Sequence, residues 1–314
     1  MLDTPPPSPV ERIQASWADQ AGIQLLVKRD DLLQAGPGNA LCGNKWRKLK
    51  YNLRAARQGG HHQLLTYGGA YSNHIAAVAA AGQAFRFATI GVIRGEAPPR
   101  MGATLRFAAA CGMQLHFISR SAFRQKDSPA LRSELKDNYG AYFELPEGGT
   151  NDLALKGCAE IIPETTAQLG TAPDYWLCSA GTGGTLAGLV LGIEGQQGKA
   201  IGFSALKGSF LAEDVRQLLK AKGEALDGRW AMENSFHFGG YAKCPPSLVH
   251  YINTFYDQYG IPLDPVYTGK LFYGIEQLAR TGYFPRGSTL LALHSGGLQG
   301  LQGFQERLGP VFHF

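Results

Sequence analysis

Short apolar runs alternate along the chain with longer segments in which apolar residues recur every three or four positions. The short runs are "QLLTY" (63–67), "ATIGVI" (88–93), "MQLHFIS" (113–119), "AYFEL" (141–145), "YWLCSA" (175–180), "AIGFSA" (200–205) and "TLLALHS" (289–295). Their length and turn-like flanks predict strands. Helical periodicity marks 45–58, 72–82, 101–110, 152–169, 184–194, 209–221, 246–259 and 270–280; in the first, Trp46, Leu49, Leu53 and Ala56 share one face. Pro163 lies inside 152–169 and predicts a kink or split there, since it has no N–H to give and its ring crowds the preceding turn. Strand then helix, repeated without any longer internal repeat, is the pattern of βαβ units, so the expected fold is α/β with mainly parallel sheets.

Ligands of such folds bind beyond the carboxyl ends of the strands, and three of those junctions are rich in glycine. They are "TYGGAYSNHIAAVAAAG" (66–82), with Ser72 or Asn73 as helix cap, "CSAGTGGTLAG" (178–188) and "LHSGGLQG" (293–300). Each offers backbone N–H groups and a helix end to an anion. The second fails as a dinucleotide site: with Gly181 and Gly183 as the first two glycines, the third falls on Leu186, and no acidic residue ends the next strand. It also lacks the Gly-Lys-Ser/Thr of a nucleotide P-loop. What it supplies, from Gly181 to Thr185, is a cup of amides and two hydroxyls, of a size for one phosphate monoester; as a bare loop it is equally a tight structural turn.

Composition narrows the classes. A length of 314 residues suits two lobes, and 44% hydrophobic against 18% charged residues leaves much interior or interface. The net charge of +5 comes without any block of like charges, so neither nucleic acid nor a membrane surface is expected as partner. Cys42, Cys111, Cys158, Cys178 and Cys244 are odd in number and nowhere spaced C-x-x-C, which argues against a disulfide framework or a zinc ribbon. No metal-ligand spacing joins the histidines, so no metal is expected, and His74 and His294 read first as structural. The opening "MLDTPPPSPVERI" has no signal-peptide pattern, and no apolar run is long enough to span a bilayer, so a cytoplasmic location is the expectation.

One lysine then draws notice. Lys45 stands at the start of a helix, with Arg47, Lys48 and Lys50 close by; positive charge and the helix end disfavour its ammonium and free its amine to attack. A reactive amine plus a phosphate cup suggests pyridoxal 5'-phosphate, which needs an imine-forming lysine, an anion site and a partner for its ring nitrogen.

The motifs "GNKWRKLK" (43–50), "YGGAYSNH" (67–74), "PEGGTN" (146–151), "SAGTGGTLAG" (179–188), "LDPVYTGK" (263–270) and "LHSGG" (293–297) occur in that order over most of the chain. With them the chain resembles the pyridoxal-phosphate-dependent family of 1-aminocyclopropane-1-carboxylate deaminases and D-cysteine desulfhydrases, of the tryptophan-synthase-β-like fold. The resemblance implies two α/β lobes, each with a mainly parallel twisted sheet flanked by helices: a cofactor-binding lobe of residues 1–47 and 152–314, and a smaller lobe of 48–151. It implies a homodimer and a small amino-acid substrate. By the same likeness Lys45 forms the imine and moves protons, Asn73 stands near the ring hydroxyl, and Ser72 binds the substrate carboxylate or assists proton transfer. Gly181, Thr182, Gly183, Gly184 and Thr185 match the phosphate loop. Tyr241 and Tyr267 match two active-site tyrosines that act as acid, base or carboxylate anchor, and Tyr71 and His74 flank the substrate position.

Two departures bear on substrate. Where the ring-opening deaminases have glutamate after the tyrosine this chain has Thr268, and "LHSGG" offers Ser295 as the partner of the ring nitrogen. A hydroxyl holds that nitrogen protonated less well than a carboxylate does, so β-elimination of a good leaving group, as from D-cysteine, is expected over ring opening. Tyr71 replaces the glutamine both activities usually carry there. The expected reaction is removal of the Cα proton by Lys45 or a tyrosinate and loss of the Cβ substituent, giving a keto acid and ammonia. The rival readings are ring-opening deamination, a non-catalytic amino-acid-binding protein on the same scaffold, and a nicotinamide enzyme, for which the fingerprint is missing.

Overall fold

The computed structural model of the protein describes residues 5–36, 40–220 and 228–314. Its strands are β1 (Val10–Ile13), β2 (Gln24–Lys28), β3 (Gln63–Gly69), β4 (Ala88–Arg94), β5 (Gln114–Ile118), β6 (Phe143–Leu145), β7 (Tyr175–Ala180), β8 (Lys199–Ser204), β9 (Trp230–Glu233) and β10 (Thr289–Leu293). The helices are α1 (Ser16–Ala21), α2 (Gly43–Gln58), α3 (Asn73–Phe85), α4 (Ala103–Ala110), α5 (Arg120–Arg124), α6 (Pro129–Tyr139) and α7 (Asp152–Ala159). They continue with α8 (Ile161–Leu169), α9 (Gly184–Gly192), α10 (Phe210–Lys220), α11 (Pro246–Tyr259), α12 (Thr268–Arg280) and α13 (Leu301–Leu308).

The α/β class expected from the sequence is the one observed. Six strands form one sheet in the order β1-β2-β10-β7-β8-β9, and four form another in the order β5-β4-β3-β6. The smaller sheet is parallel throughout. The larger is parallel except at its edge, where β1 runs antiparallel to β2. Side chains alternate between the faces of each sheet, as the two-residue period of a strand requires. On the larger sheet Leu25, Val27, Leu177, Leu290 and Ala292 enter one core with α11 and α12. Leu26, Trp176, Cys178, Leu291 and Leu293 enter another with α8 and α9. Leu64 and Ile93 of the smaller sheet pack with Trp46, Leu49 and Leu53 of α2 and with the alanine-rich α3, while Leu65, Tyr67, Ile90 and Val92 meet Phe123, Leu131 and Leu135. Burial on both faces is why the strands read as continuous apolar runs.

Two expectations are refined. The 152–169 segment does split, but at Glu160, and Pro163 lies in the first turn of α8, where a missing N–H forfeits no intrahelical bond. Helix α12 begins at Thr268, two residues before the predicted start. The Asp264 carboxylate accepts from the backbone N–H of Val266, Tyr267 and Thr268 and so secures that first turn.

Strand order places the crevices. From β7 the chain adds β8 and β9 on one side and returns β10 to the other; from β3 it adds β4 and β5 and returns β6. The gaps beyond the carboxyl ends of β7/β10 and β3/β6 are topological switch points, where helices leave in opposite directions and open a cleft.

Candidate active site

The loops after β3, β6, β7 and β10 share one cavity of about 420 Å³. Lys45, Tyr71, Ser72, Asn73, His74, the whole loop from Gly181 to Thr185, Tyr241, Tyr267 and Ser295 all line it. Residues more than 200 positions apart in sequence are thereby brought to one surface.

The start of α2 sets Lys45. Gly43 has φ +49, and a Cβ there would lie 2.6 Å from the Ser295 carbonyl oxygen, so only glycine lets the helix begin against the β10 loop. The N–H of Asn44 donates to that same carbonyl (3.2 Å), and Asn44 Oδ1 accepts from the Thr185 hydroxyl (2.7 Å). The first turn of α2 is thus tied to the loops after β7 and β10. The Lys45 amine is drawn down to about 7, first by burial and then by the charge of Lys48. The sequence pointed to a depressed amine but credited the helix end and three cations; loss of solvent is the larger cause, and Lys48 is the cation that acts.

Lys48, one turn on, was not among the expected site residues. It is 2% exposed, and its Nζ donates to Thr150 Oγ1 (2.9 Å) and Gly148 O (3.3 Å). Thr150 and Thr182 share a hydroxyl hydrogen bond of 2.6 Å beside it. Gly183, at φ +74, precedes α9, and a Cβ on Gly184 would lie 2.7 Å from Thr150. Bare amides, two threonine hydroxyls and a buried lysine therefore converge on one point at a helix N-terminus, a fit for a phosphate dianion.

On the opposite wall Ser72 caps α3, its Oγ accepting from the N–H of His74 (3.2 Å) and Ile75 (3.3 Å). The cap uses lone pairs and leaves the hydroxyl proton to donate into the cavity, so capping and ligand binding coexist at this residue. Asn73 packs its amide against Gly297 and Gly300 of the β10 loop. His74 is 2% exposed; burial and the charges of Lys45 and Lys48 hold its pKa well below the usual value against the opposing pull of the Pro146 backbone, so the ring is neutral. His294, by contrast, is spent on structure: Nε2 lies 2.6 Å from Pro262 O and Nδ1 3.4 Å from Asp31.

Tyr241 and Tyr267 meet edge-on, ring centroids 6.2 Å apart. Burial raises the pKa of both phenols, and for Tyr267 the neighbouring Tyr241 and Asp264 raise it further. Both are protonated donors at neutral pH. Tyr71, 56% exposed, stands at the mouth against Gly102 and Gly303. Asn44, Arg94 and Glu147 complete the polar lining. Arg94 ends β4, and a search of every strand's last residue would have found it; Glu147 and Lys48 sit inside quoted motifs but carried no separate signal. Among the described residues no cluster of His, Cys, Asp or Glu is placed to hold a metal ion, and no helix is long and apolar enough to cross a membrane.

These residues meet the requirements of pyridoxal phosphate: a half-buried amine with a lowered pKa, a glycine cradle with adjacent cation and hydroxyls, and Ser295 and Asn73 on the intervening walls. The comparisons agree. Residues 4–296 match the family described as pyridoxal-phosphate dependent enzymes. Over 295 residues the chain is 30% identical to a putative 1-aminocyclopropane-1-carboxylate deaminase of Pyrococcus horikoshii, spanning 92% of this chain and 89% of that one. Over 324 residues it is 28% identical to the mitochondrial bifunctional D-cysteine desulfhydrase/1-aminocyclopropane-1-carboxylate deaminase of Arabidopsis thaliana, spanning 97% and 80%. The solved structure of an ACC deaminase homologue superposes with a TM-score of 0.84 at 28% identity, over 98% of this chain and 95% of the other.

Proposed function

Since this chain belongs to the pyridoxal-phosphate-dependent enzymes, within their aminocyclopropane-carboxylate deaminase and D-cysteine desulfhydrase branch, we propose that it is a lyase catalysing α,β-elimination on a small amino acid of the D-cysteine type. The products are a keto acid, ammonia and the departed β-substituent. The cofactor lies between a lobe of residues 1–47 with 152–314 and a lobe of 48–151, and two chains pair as a homodimer.

The observation that carries the choice of elimination is the fate of Thr268. Its side chain is fully buried, accepts from the Asp264 N–H (2.7 Å) and donates to Asp264 Oδ1 (2.8 Å), so it takes no part in the cavity wall. Ser295 is left as the partner for the ring nitrogen, and a hydroxyl there supports expulsion of a leaving group better than it supports opening a carbon ring.

Bound in the cavity, pyridoxal phosphate supplies an aldehyde that condenses with amines and a ring that spreads negative charge from Cα. The protein supplies the rest. The amides of Gly181–Thr185, with Lys48, hold the phosphate. The Ser72 hydroxyl and the amides of the β3 loop hold the substrate carboxylate. Lys45 Nζ, drawn down to about 7 and so free of its proton in a large share of molecules at neutral pH, takes the Cα proton, while the two phenols, both protonated, act as donors to the departing group or the carboxylate. A tyrosinate base is disfavoured by the raised phenol pKa values. The test is keto-acid release from D-cysteine, L-cysteine, β-chloroalanine, D-serine and aminocyclopropane carboxylate. We expect D-cysteine and β-chloroalanine to be turned over fastest; aminocyclopropane carboxylate as the best substrate would replace elimination with ring-opening deamination.

A further inference from the structure

Tyr241 sits on a strained segment. Between β9 and α11, Phe238 (φ 52) and Ala242 (φ 55) hold left-handed conformations without being glycine, and Gly239 (φ 90) and Gly240 (φ 116) lie between them. A side-chain-bearing residue in that region costs about 1 kcal/mol or more, so something outside the segment must hold it. Its own bonds are short-range: Gly240 N–H to His237 O (3.0 Å), Lys243 N–H to Gly240 O (3.2 Å) and Gly239 N–H to His237 Nδ1 (2.9 Å).

Phe238 packs on Tyr273 of α12 (ring centroids 4.8 Å), and the hydrogen bond that reaches the segment's backbone from the same helix comes from Lys270. It is 2% exposed, in the first turn of α12, and its Nζ donates to Gly240 O at 2.8 Å. Leu271, Phe272 and Ile275 surround it on the helix as buried apolar residues, and burial draws its ammonium down to about 8 against the opposing pull of Asp264. A cation in such a place is a poor stabiliser compared with an apolar side chain of similar volume, which calls for another reason for its presence. Position provides one: Tyr267 is the N-cap of α12, so the helix fixes one phenol through its backbone and reaches the other through Lys270.

We propose that Lys270 is a positioning residue that, through the Gly240 carbonyl, holds the strained loop in the one conformation that sets the Tyr241 phenol beside Tyr267 over the cavity. The inference rests on the proposed donor role of Tyr241, and the experiment separates the two. Holoenzymes carrying Lys270→Met, Tyr241→Phe and both are compared for kcat, KM and visible absorption. Lys270→Met is expected to lower kcat about 10- to 100-fold, as small misplacements of an acting group do, with absorption retained. In the Tyr241→Phe background it is expected to cause no further loss, because its effect has been removed with the hydroxyl. An unchanged kcat in Lys270→Met, or losses that multiply in the double variant, would overturn the inference while leaving Tyr241 in its role. Tyr241→Phe with unchanged kinetics would overturn the role of Tyr241 and the inference with it. Should Lys270→Met lose the absorption, the cycle is repeated with Lys270→Gln, whose amide falls about one bond short of the carbonyl, and the same outcomes decide.

Discussion

On α2, Lys45 and Lys48 face the cavity and meet no carboxylate among the described residues, while Arg47 and Lys50 point the other way into acidic partners. Arg47 Nε and Nη2 reach both oxygens of Asp30 (2.5 and 2.8 Å), and Nη1 and Nη2 reach Glu164 (3.0 and 2.9 Å), whose other cation is Lys28 at 2.6 Å. Lys50 is held by Glu160, which Tyr51 also contacts. Burial acts on all four side chains. For Arg47 the carboxylates outweigh it and raise the guanidinium further above its usual range; for Lys45 nothing does, and the amine falls to about 7. Lys50, drawn to about 8 by burial and by Arg47, lies between them. A partner decides whether a buried cation keeps its proton and anchors the helix or gives it up more readily.

The largest effect expected is from Lys45→Ala. It should remove the imine absorption and lower turnover by about 10³-fold or more, the scale of losing a positioned proton carrier, with far-UV circular dichroism unchanged. A spectrum and kinetics like the parent's would break the contrast outright. Arg47→Met should act on stability instead. It strands Asp30 without its cation, and the urea midpoint should fall by an amount equivalent to about 3–5 kcal/mol, the range for breaking a buried pair from one side.

A finer test uses pH. In cofactor-stripped protein the rate of reloading follows the free amine, so it should rise through about pH 7 and level off above, rather than climb toward the ordinary lysine range. Removing the neighbouring charge with Lys48→Met should move that profile to higher pH, because one of the two causes depressing the amine is gone; a shift of up to about one unit is expected. The phosphate should also bind more weakly in that variant. Lys50→Met should matter least, within about 1 kcal/mol, since Glu160 is 34% exposed and keeps Tyr51.

Much of the site was legible because it is written in local chemistry. "SAGTGGTLAG" and "YGGAYSNH" announce themselves by glycine between a strand and a helix, and Lys45 by its place after Gly43 and Asn44. The strands β3, β4, β7, β8 and β10 showed as apolar runs because both faces are buried. Strands β1, β2 and β9 did not: "VERI" and "WAME" are edge strands with partly exposed faces, so their composition carries little pattern, while the buried interior strand "QLLVK" was not among the predicted runs. Helix α6 carries Ser128 as cap and Pro129 at its first position, signals that were readable, but only Leu131 and Leu135 are buried and the periodicity is faint. Thr185 illustrates the remaining gap. Its place in the loop was clear from sequence, whereas the bond of its hydroxyl to Asn44 joins residues 141 positions apart.

Covalent identity and near-neighbour spacing, which need no fold to be read, determined the class of fold and pointed to a glycine loop and one lysine that the structure brings to a single cavity. Charge state and aim were settled only by packing. That the Lys45 amine is drawn down to about 7, that Lys48 bonds Thr150 and Gly148 while Arg47 bonds the core carboxylates, and that Lys270 bonds the Gly240 carbonyl all depend on solvent exclusion and on distances between segments remote in the chain. Electrostatic energy follows separation in space and local dielectric, and neither exists until the two sheets have closed on one another.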